Sequence, residues 1–420
     1  MNRRVVITGL GLCAPVGRSV DACWQNLLAG RSGIGPITLF DARALPVRIG
    51  GEVKDFDAAG WVAACPEARG ETDRKIWLGL DAAAQAVSDS GLPVSAFAQA
   101  LLLVGVSLEA FSLEQITPLG QAENLAQSLS ERLLRQTSPS RLQTPLDRLT
   151  QILGDHYGVR GRRFTNCSAC AAGAQVIGEA FRRLRDGGAD VAIAGAADST
   201  LNPLGLGGFS LLRILSTENE QPRKACRPFD VTREGTVLAE GAAFVVLETL
   251  EGARQRGARV YAEVLGYGSS LDAYRVTDPE PTGRGAVLSM TQAIRDAGLT
   301  PDKIDGVNAH GTGTPKNDVA ETLAIKQTLD VRAYEVPVTA NKSMTGHMIA
   351  TSGAAEAIVS ALTLFHREVP PTINLIHRDP QCDLDYVAEG CRPFDGRTVL
   401  SNSFGFGGQN ASLVFGRYAP

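Results

Sequence analysis

Three side chains suited to nucleophilic and acid–base chemistry each sit in a run of small residues. Cys170 lies in Asn166-Cys-Ser-Ala-Cys-Ala-Ala-Gly173, His310 in Asn308-Ala-His-Gly-Thr-Gly-Thr-Pro315 and His347 in Lys342-Ser-Met-Thr-Gly-His347. A thiol attacks as its thiolate, and imidazoles exchange protons near neutrality. One thiol with two histidines points to covalent acyl chemistry. Ala169, Ala171, Ala172 and Gly173 leave space beside the sulfur for a bulky acyl group. Taken alone, Cys170 reads equally well as a buried inert cysteine. Cys167 and Cys170 also have the spacing of a redox or zinc pair, but neither a thioredoxin-like context nor a second Cys/His pair accompanies them.

Further polar residues cluster around the histidines. Thr312 and Thr314 offer two hydroxyls in a glycine-rich loop, and Lys342 with Glu356 could form a buried ion pair that orients the imidazoles. The bland alternative for that pair is a surface contact worth little. Ser403-Phe-Gly-Phe-Gly-Gly-Gln-Asn410 is glycine-dense, so its backbone can approach a ligand closely and lend an N–H to an oxyanion. A plain turn between two strands explains the same glycines.

The elements that must hold these groups alternate in type. Short apolar runs at 5–9, 189–195, 242–247, 304–309, 335–340 and 411–415 read as strands, which predicts α/β layers on mostly parallel sheets. Gly9, Gly11 and Pro15 are expected to end the first strand. Ile177, Ala180, Phe181 and Leu184 share one helix face and Gly187-Gly188 supplies a stop, so Cys170 is placed at a helix N-terminus, where the dipole should lower its pKa. His310 falls between a strand and a helix over 319–329, and His347 just before a helix over 349–365. Two related halves, 1–255 with the cysteine and 256–420 with the histidines and the glycine-rich loop, fit this echo. Residues 106–150, rich in Leu, Gln, Ser and Arg, are expected to form surface or interface helices.

The 420 residues suffice for one large body or for two or three domains. A net charge of −4 gives no general affinity for nucleic acid or an anionic membrane, so an acidic partner must use a local basic patch. Eight scattered cysteines do not make a disulfide scaffold and fit a reducing cytoplasm. No apolar run reaches the roughly 18 residues of a membrane span.

Ordered along the chain, the motifs resemble the elongating β-ketoacyl-acyl carrier protein synthases of the thiolase-like superfamily. They are Val5-Val-Ile-Thr-Gly-Leu-Gly11, Ala169-Cys-Ala-Ala-Gly173, Asp190-Val-Ala-Ile-Ala-Gly195, Pro203-Leu-Gly-Leu-Gly-Gly-Phe209, Asn308-Ala-His-Gly-Thr-Gly-Thr314, Asn341-Lys-Ser-Met-Thr-Gly-His347, Pro370-Pro-Thr-Ile-Asn374 and Ser401-Asn-Ser-Phe-Gly-Phe-Gly-Gly408. The resemblance implies a five-layered αβαβα thiolase-like fold of two similar halves. It makes Cys170 the acyl-accepting nucleophile and His310 and His347 the donors to a malonyl thioester. Lys342 and Glu356 become the supporting pair, and Thr312 and Thr314 the pantetheine contacts. Phe404, Phe406, Gly407 and Gly408 form the gate and oxyanion loop, with the N–H groups of Cys170 and Phe406 as donors. No metal or redox cofactor is implied. The implied partner is an acyl carrier protein, with Arg69, Arg74 and Lys75 as docking candidates or an ordinary charged run. A homodimer is implied, with a heterodimer with a ketosynthase-like subunit as the alternative.

Three departures bear on the product. Thr236, in Asp230-Val-Thr-Arg-Glu-Gly-Thr-Val-Leu-Ala-Glu-Gly241, stands where the family usually carries an aromatic ring near the malonyl carboxylate. Val104-Gly-Val-Ser-Leu-Glu-Ala110 replaces a glycine-rich run, and Thr314-Pro-Lys-Asn-Asp318 looks like secondary-metabolism ketosynthases. A specialised acyl or polyketide substrate is therefore the expectation. A ketosynthase-like acyltransferase or cyclase that does not decarboxylate malonyl, and a non-catalytic subunit like a chain-length factor, are the alternatives.

Overall fold

The computed structural model describes residues 3–108, 110–111 and 143–419. Most of the segment expected to form surface helices, residues 112–142, lies outside the described residues. Ten strands build one mixed sheet: β1 (Val5–Cys13), β2 (Leu101–Gly105), β3 (Arg163–Asn166), β4 (Val191–Asp198), β5 (Gly241–Thr249), β6 (Ala262–Leu271), β7 (Gly306–Asn308), β8 (Val338–Thr339), β9 (Thr398–Gly405) and β10 (Gln409–Gly416). Across the sheet they run β8-β7-β9-β10-β6-β1-β5-β4-β2-β3. The first five strands and the last five thus follow the same spatial order, third, second, fourth, fifth, first. The two first strands meet antiparallel at the centre, with Val5 opposite Val264.

The expectation of mostly parallel pairing needs correction. Five of the nine neighbouring pairs are antiparallel and four are parallel. One cause is local: β9 and β10 are joined by a tight turn, which can connect only antiparallel neighbours. A second difference is that β1 runs on to Cys13 through Gly9 and Gly11. A Cβ at Gly9 would lie 2.1 Å from the Ala86 carbonyl oxygen, so glycine there lets a helix lie directly on the strand.

Five helices set the layers: α1 (Arg74–Ser90), α2 (Ala172–Arg185), α3 (Arg284–Asp296), α4 (Pro315–Leu329) and α5 (Ala350–His366). α1 starts where the Asp73 carboxylate accepts from the Lys75 N–H and ends at Gly91 in the left-handed region. It covers the first half of the sheet on the outside, and α3 with α4 covers the second half. α2 and α5 pack against each other as the inner layer, which gives the five-layered αβαβα arrangement. Every residue from Ala350 to Leu364 is buried, as an inner helix requires. In α2 the predicted face, Ile177, Ala180, Phe181 and Leu184, is the buried one.

Candidate active site

The N-termini of the two inner helices meet, and that meeting creates the site. β3 delivers the chain to Asn166, whose side-chain carbonyl accepts from the Ser168 N–H at 2.8 Å and fixes the turn. Ala169 then adopts φ +49°, a conformation an L-residue holds only when its surroundings impose it. The following 3₁₀ turn, Ala169–Ala171, carries Cys170 just ahead of α2. α5 is entered through a similar constraint, with the β-branched Ile349 at φ +43°. The helices touch backbone to backbone. A Cβ on Gly173 would lie 2.6 Å from the Ala350 oxygen, and one on Gly353 would lie 2.8 Å from the Ala174 nitrogen.

His347 sits in the loop leading to α5. Its N–H donates to the Val237 carbonyl at 2.7 Å and its carbonyl accepts from the Ala239 N–H at 2.9 Å, so the backbone is pinned on both sides. Nε2 lies 3.1 Å from the Cys170 sulfur. Nδ1 lies 2.9 Å from the Ser352 hydroxyl, which can donate or accept and so supports either tautomer.

His310 stands at the C-terminal end of β7, with its ring centroid 5.4 Å from that of His347 and the rings nearly perpendicular. The Lys342 ammonium lies 3.2 Å from His310 Nδ1, donates to the His310 carbonyl at 2.7 Å and bonds the Glu356 carboxylate. An ammonium has only donors, so Nδ1 must accept and Nε2 must carry the proton. The pair is buried, with Lys342 1% and Glu356 3% exposed, which removes the reading as a surface contact.

Sequence reasoning missed Glu321 of α4. Its two carboxylate oxygens accept from the His310 and Gly311 N–H groups, each at 2.8 Å. It lies three positions after Asp318 on the same helix face. Both are buried acids, and only a charge recurring on an inward face could have signalled them.

Burial governs the electrostatics. Desolvation, reinforced by the Lys342 charge, holds His310 and His347 well below the ordinary histidine value, so both are neutral at pH 7. Desolvation pushes the Cys170 thiol up to about 11, against the pull of the Phe406 backbone N–H, the Lys342 charge and its own amide. The direction is opposite to the lowering expected from a helix N-terminus, because desolvation is the largest influence on the thiol. Desolvation likewise lifts Glu356 and Glu321 to about 7.

A cavity of about 300 Å³ opens onto these groups, lined among others by Cys170, His310, His347, Thr236, Thr312, Thr314, Phe404 and Phe406. The Thr312 and Thr314 hydroxyls are 2.9 Å apart. Phe404 lies 5.9 Å from the His310 ring, and Phe406 stacks on Phe209 at 6.1 Å. Gly407 and Gly408 both have φ +78° and turn the chain so that the Phe406 amide faces the sulfur.

Two docking candidates are placed elsewhere. Arg74 gives its Nε and one Nη to the buried Glu240, at 2.8 and 2.7 Å. Lys75 is 2% exposed, 2.9 Å from Asp73 Oδ2, and donates to the Leu108 carbonyl. Neither offers a free charge to a partner, because both compensate the desolvation of groups inside α1's layer. Arg69 alone of the three is exposed. All eight cysteines are free thiols. Among the described residues one group of potential metal ligands occurs, Cys65, Glu67 and His156, and none of them lines the cavity. No helix among the described residues is long and apolar enough to cross a membrane.

Comparison with known proteins gives a consistent result. Residues 2–253 match the family model "Beta-ketoacyl synthase, N-terminal domain" and residues 261–376 match "Beta-ketoacyl synthase, C-terminal domain". The chain is 41% identical to 3-oxoacyl-[acyl-carrier-protein] synthase 2 of Synechocystis sp. and 42% identical to the protein of that name from Coxiella burnetii, over 99% of each chain. Among solved structures, a beta-ketoacyl synthase from Burkholderia phymatum superposes with a TM-score of 0.87 at 31% identity, over 99% of this chain and 100% of that one. The ishigamide ketosynthase/chain length factor superposes with a TM-score of 0.86 at 33% identity, over 100% of both chains. A type II PKS acyl-carrier protein in complex with its ketosynthase bound to the hexaketide gives 0.85 at 30% identity, also over 100% of both.

Proposed function

The chain belongs to the beta-ketoacyl synthase family, with the fold and enzyme class that membership carries, and we propose that it extends a carrier-bound acyl chain by decarboxylative condensation with malonyl-carrier protein. The observation that carries this reading is the convergence of Cys170, His347 and His310 on one cavity, with the sulfur 3.1 Å from His347 Nε2.

In the first half-reaction the Cys170 sulfur attacks the acyl thioester of the carrier protein. The S–H proton passes to neutral His347 Nε2 and on to the departing pantetheine thiolate. A buried thiol cannot ionise by itself at pH 7, so the nearby acceptor is what makes it a nucleophile. The carbonyl oxygen gathers charge on the N–H groups of Cys170 and Phe406.

In the second, malonyl-carrier protein enters past Thr312 and Thr314, and its thioester oxygen accepts from the Nε2–H groups of His310 and His347. The bond to the carboxylate breaks, carbon dioxide leaves, and the electron pair enters an enolate that those donors hold. The enolate carbon then attacks the Cys170 thioester. A carbon–carbon bond forms, the sulfur–carbon bond breaks, the released Cys170 thiolate takes up one proton from solvent to restore the thiol, and β-ketoacyl-carrier protein departs. The scheme uses no metal or redox cofactor, because the leaving carboxylate supplies the electron pair.

The carrier partner is supported by the relatives named acyl-carrier-protein synthases and by the ketosynthase solved with its carrier protein. A dimer, homomeric or with a second ketosynthase-like subunit, is supported by β3, which among the described residues is the last strand at one edge of the sheet. Specialised acyl or polyketide substrates are supported by the departure at Thr236, and cytoplasmic placement by free thiols throughout. Thr236 is also the observation favouring a transferase or cyclase that spares malonyl. Retention of all three reactive side chains weighs against a non-catalytic partner subunit. Incubation with acyl-carrier protein and then labelled malonyl-carrier protein tests the reading: a Cys170-bound acyl group, carbon dioxide and a β-ketoacyl product are expected.

A further inference from the structure

Thr236 is 2% exposed and its Oγ1 has no hydrogen-bond partner. A buried hydroxyl without a partner in a native protein calls for a reason. Its backbone is fully occupied: the N–H donates to the Ile214 carbonyl at 2.9 Å and the carbonyl accepts from the Ser216 N–H at 2.8 Å. The next residue, Val237, supplies the carbonyl that anchors His347. Thr236 is therefore held rigidly beside the histidine donors, on the wall of the cavity that also contains Cys170.

Several other polar groups lining the cavity are engaged, Lys316 among them, which donates to Asp278 at 2.8 Å. Thr312 and Thr314 bond to each other, and Asn410 bonds to Asp272 at 2.6 Å. Arg213 is exposed, where a charge pair contributes little. The thioester oxygen of the incoming unit is claimed by His310 and His347. Its carboxylate, one methylene away, needs a donor close to those rings. To meet a ligand in the cavity the covered hydroxyl has to turn to another staggered χ1 position, a motion that leaves the hydrogen-bonded backbone of Thr236 in place.

We propose, resting on the functional reading above, that the Thr236 hydroxyl donates a hydrogen bond to the carboxylate of the malonyl unit and sets the enzyme's selectivity for a carboxylated extender. The bond is charge-assisted in the bound state and disappears as the carboxylate becomes neutral carbon dioxide. Thr236 therefore tightens malonyl binding and, by stabilising the ground state, slows decarboxylation. This is a binding role with a kinetic cost, distinct from the enolate stabilisation by the histidines.

Thr236→Val keeps the shape and removes the donor, and Thr236→Ser keeps the donor. With malonyl-carrier protein and carbon dioxide release as readout, Thr236→Val should raise both KM and kcat by about tenfold, leaving kcat/KM nearly unchanged, and Thr236→Ser should follow the wild type. In a Cys170→Ala background, which needs no turnover, the ratio of malonyl- to acetyl-carrier protein affinities should fall by about tenfold in Thr236→Val. That ratio keeps the two ideas separable: wild-type protein that releases no carbon dioxide would overturn the functional reading, while an unchanged malonyl preference in folded Thr236→Val protein would overturn this one. A Thr236→Ser variant that behaves like Thr236→Val would overturn it as well.

Discussion

Cys170 and His347 face each other at 3.1 Å across the junction of the two inner helices. Burial holds the thiol at about 11 and the imidazole well below its usual value, so the resting pair is neutral. In the proposed acylation the sulfur hands its proton to the waiting imidazole during attack and does not stand as a thiolate beforehand.

That resting state fixes how the thiol responds to pH. With a pKa of about 11, only about one thiol in ten thousand is ionised at pH 7. The rate of Cys170 alkylation by iodoacetamide, followed by intact mass, should climb about tenfold per pH unit from pH 7 to 9. A plateau reached by pH 7 would show a standing thiolate–imidazolium pair instead.

Ser352 should matter more than its size suggests. Its hydroxyl is the partner of His347 Nδ1 and, in the proposed reaction, allows Nε2 to accept in the first half-reaction and donate in the second. Ser352→Ala leaves Nδ1 buried without a partner, and condensation should fall by roughly 10²-fold, in the range of lost general acid–base catalysis. Separate rates for Cys170 acylation and carbon dioxide release would check it, since a purely structural change would not slow both while the melting curve stayed unchanged.

The Lys342 pair makes a prediction about stability and its pH dependence. Lys342→Met strands Glu356 as a buried charge, at a cost of about 3–5 kcal/mol. Glu356 is already raised to about 7 by burial, and removing the ammonium raises it further. A carboxyl raised above its unfolded value stabilises the fold in its protonated form, and that stability is lost as pH rises through the folded pKa. The Lys342→Met defect in urea unfolding should therefore be small near pH 5 and large near pH 8. Adding Glu356→Gln should restore stability without restoring condensation.

The basic run near α1 gives a contrast between docking and folding. Arg74→Ala leaves Glu240 uncompensated, its side chain 0% exposed. Unfolding free energy should drop by about 3 kcal/mol, as for other broken buried pairs. Arg69→Ala should leave the melting curve unchanged and weaken acyl-carrier protein binding at low salt, as a steering charge does. Equal effects of the two changes on carrier binding, with no loss of stability in Arg74→Ala, would overturn this assignment.

Much of this site is visible in the chain itself, for identifiable reasons. Cys170, His310 and His347 stand in runs of small residues at strand or helix ends, and their types announce the chemistry. α2 could be placed because Ile177, Ala180, Phe181 and Leu184 repeat at helical spacing. Strand direction could not be read, since apolar runs look alike in parallel and antiparallel neighbours, and β1 runs through glycines that resemble a break. The fate of Arg74 and Lys75 was hidden for a different reason: each is compensated by partners brought in by folding, Glu240 from 166 positions away and the Leu108 carbonyl from 33. The burial around Cys170 is equally illegible in the chain, because a helix end is a local feature whereas desolvation depends on everything packed around the sulfur.

The most direct test of the account uses wild-type and Cys170→Ala protein, a panel of acyl-carrier proteins and malonyl-carrier protein labelled in its free carboxyl. Intact mass should show one acyl group on the wild type and none on the variant. Labelled carbon dioxide and β-ketoacyl-carrier protein should then form in equal amounts only with the acylated wild type. Acylation at Cys170 with no carbon dioxide and no β-keto product would contradict decarboxylative condensation.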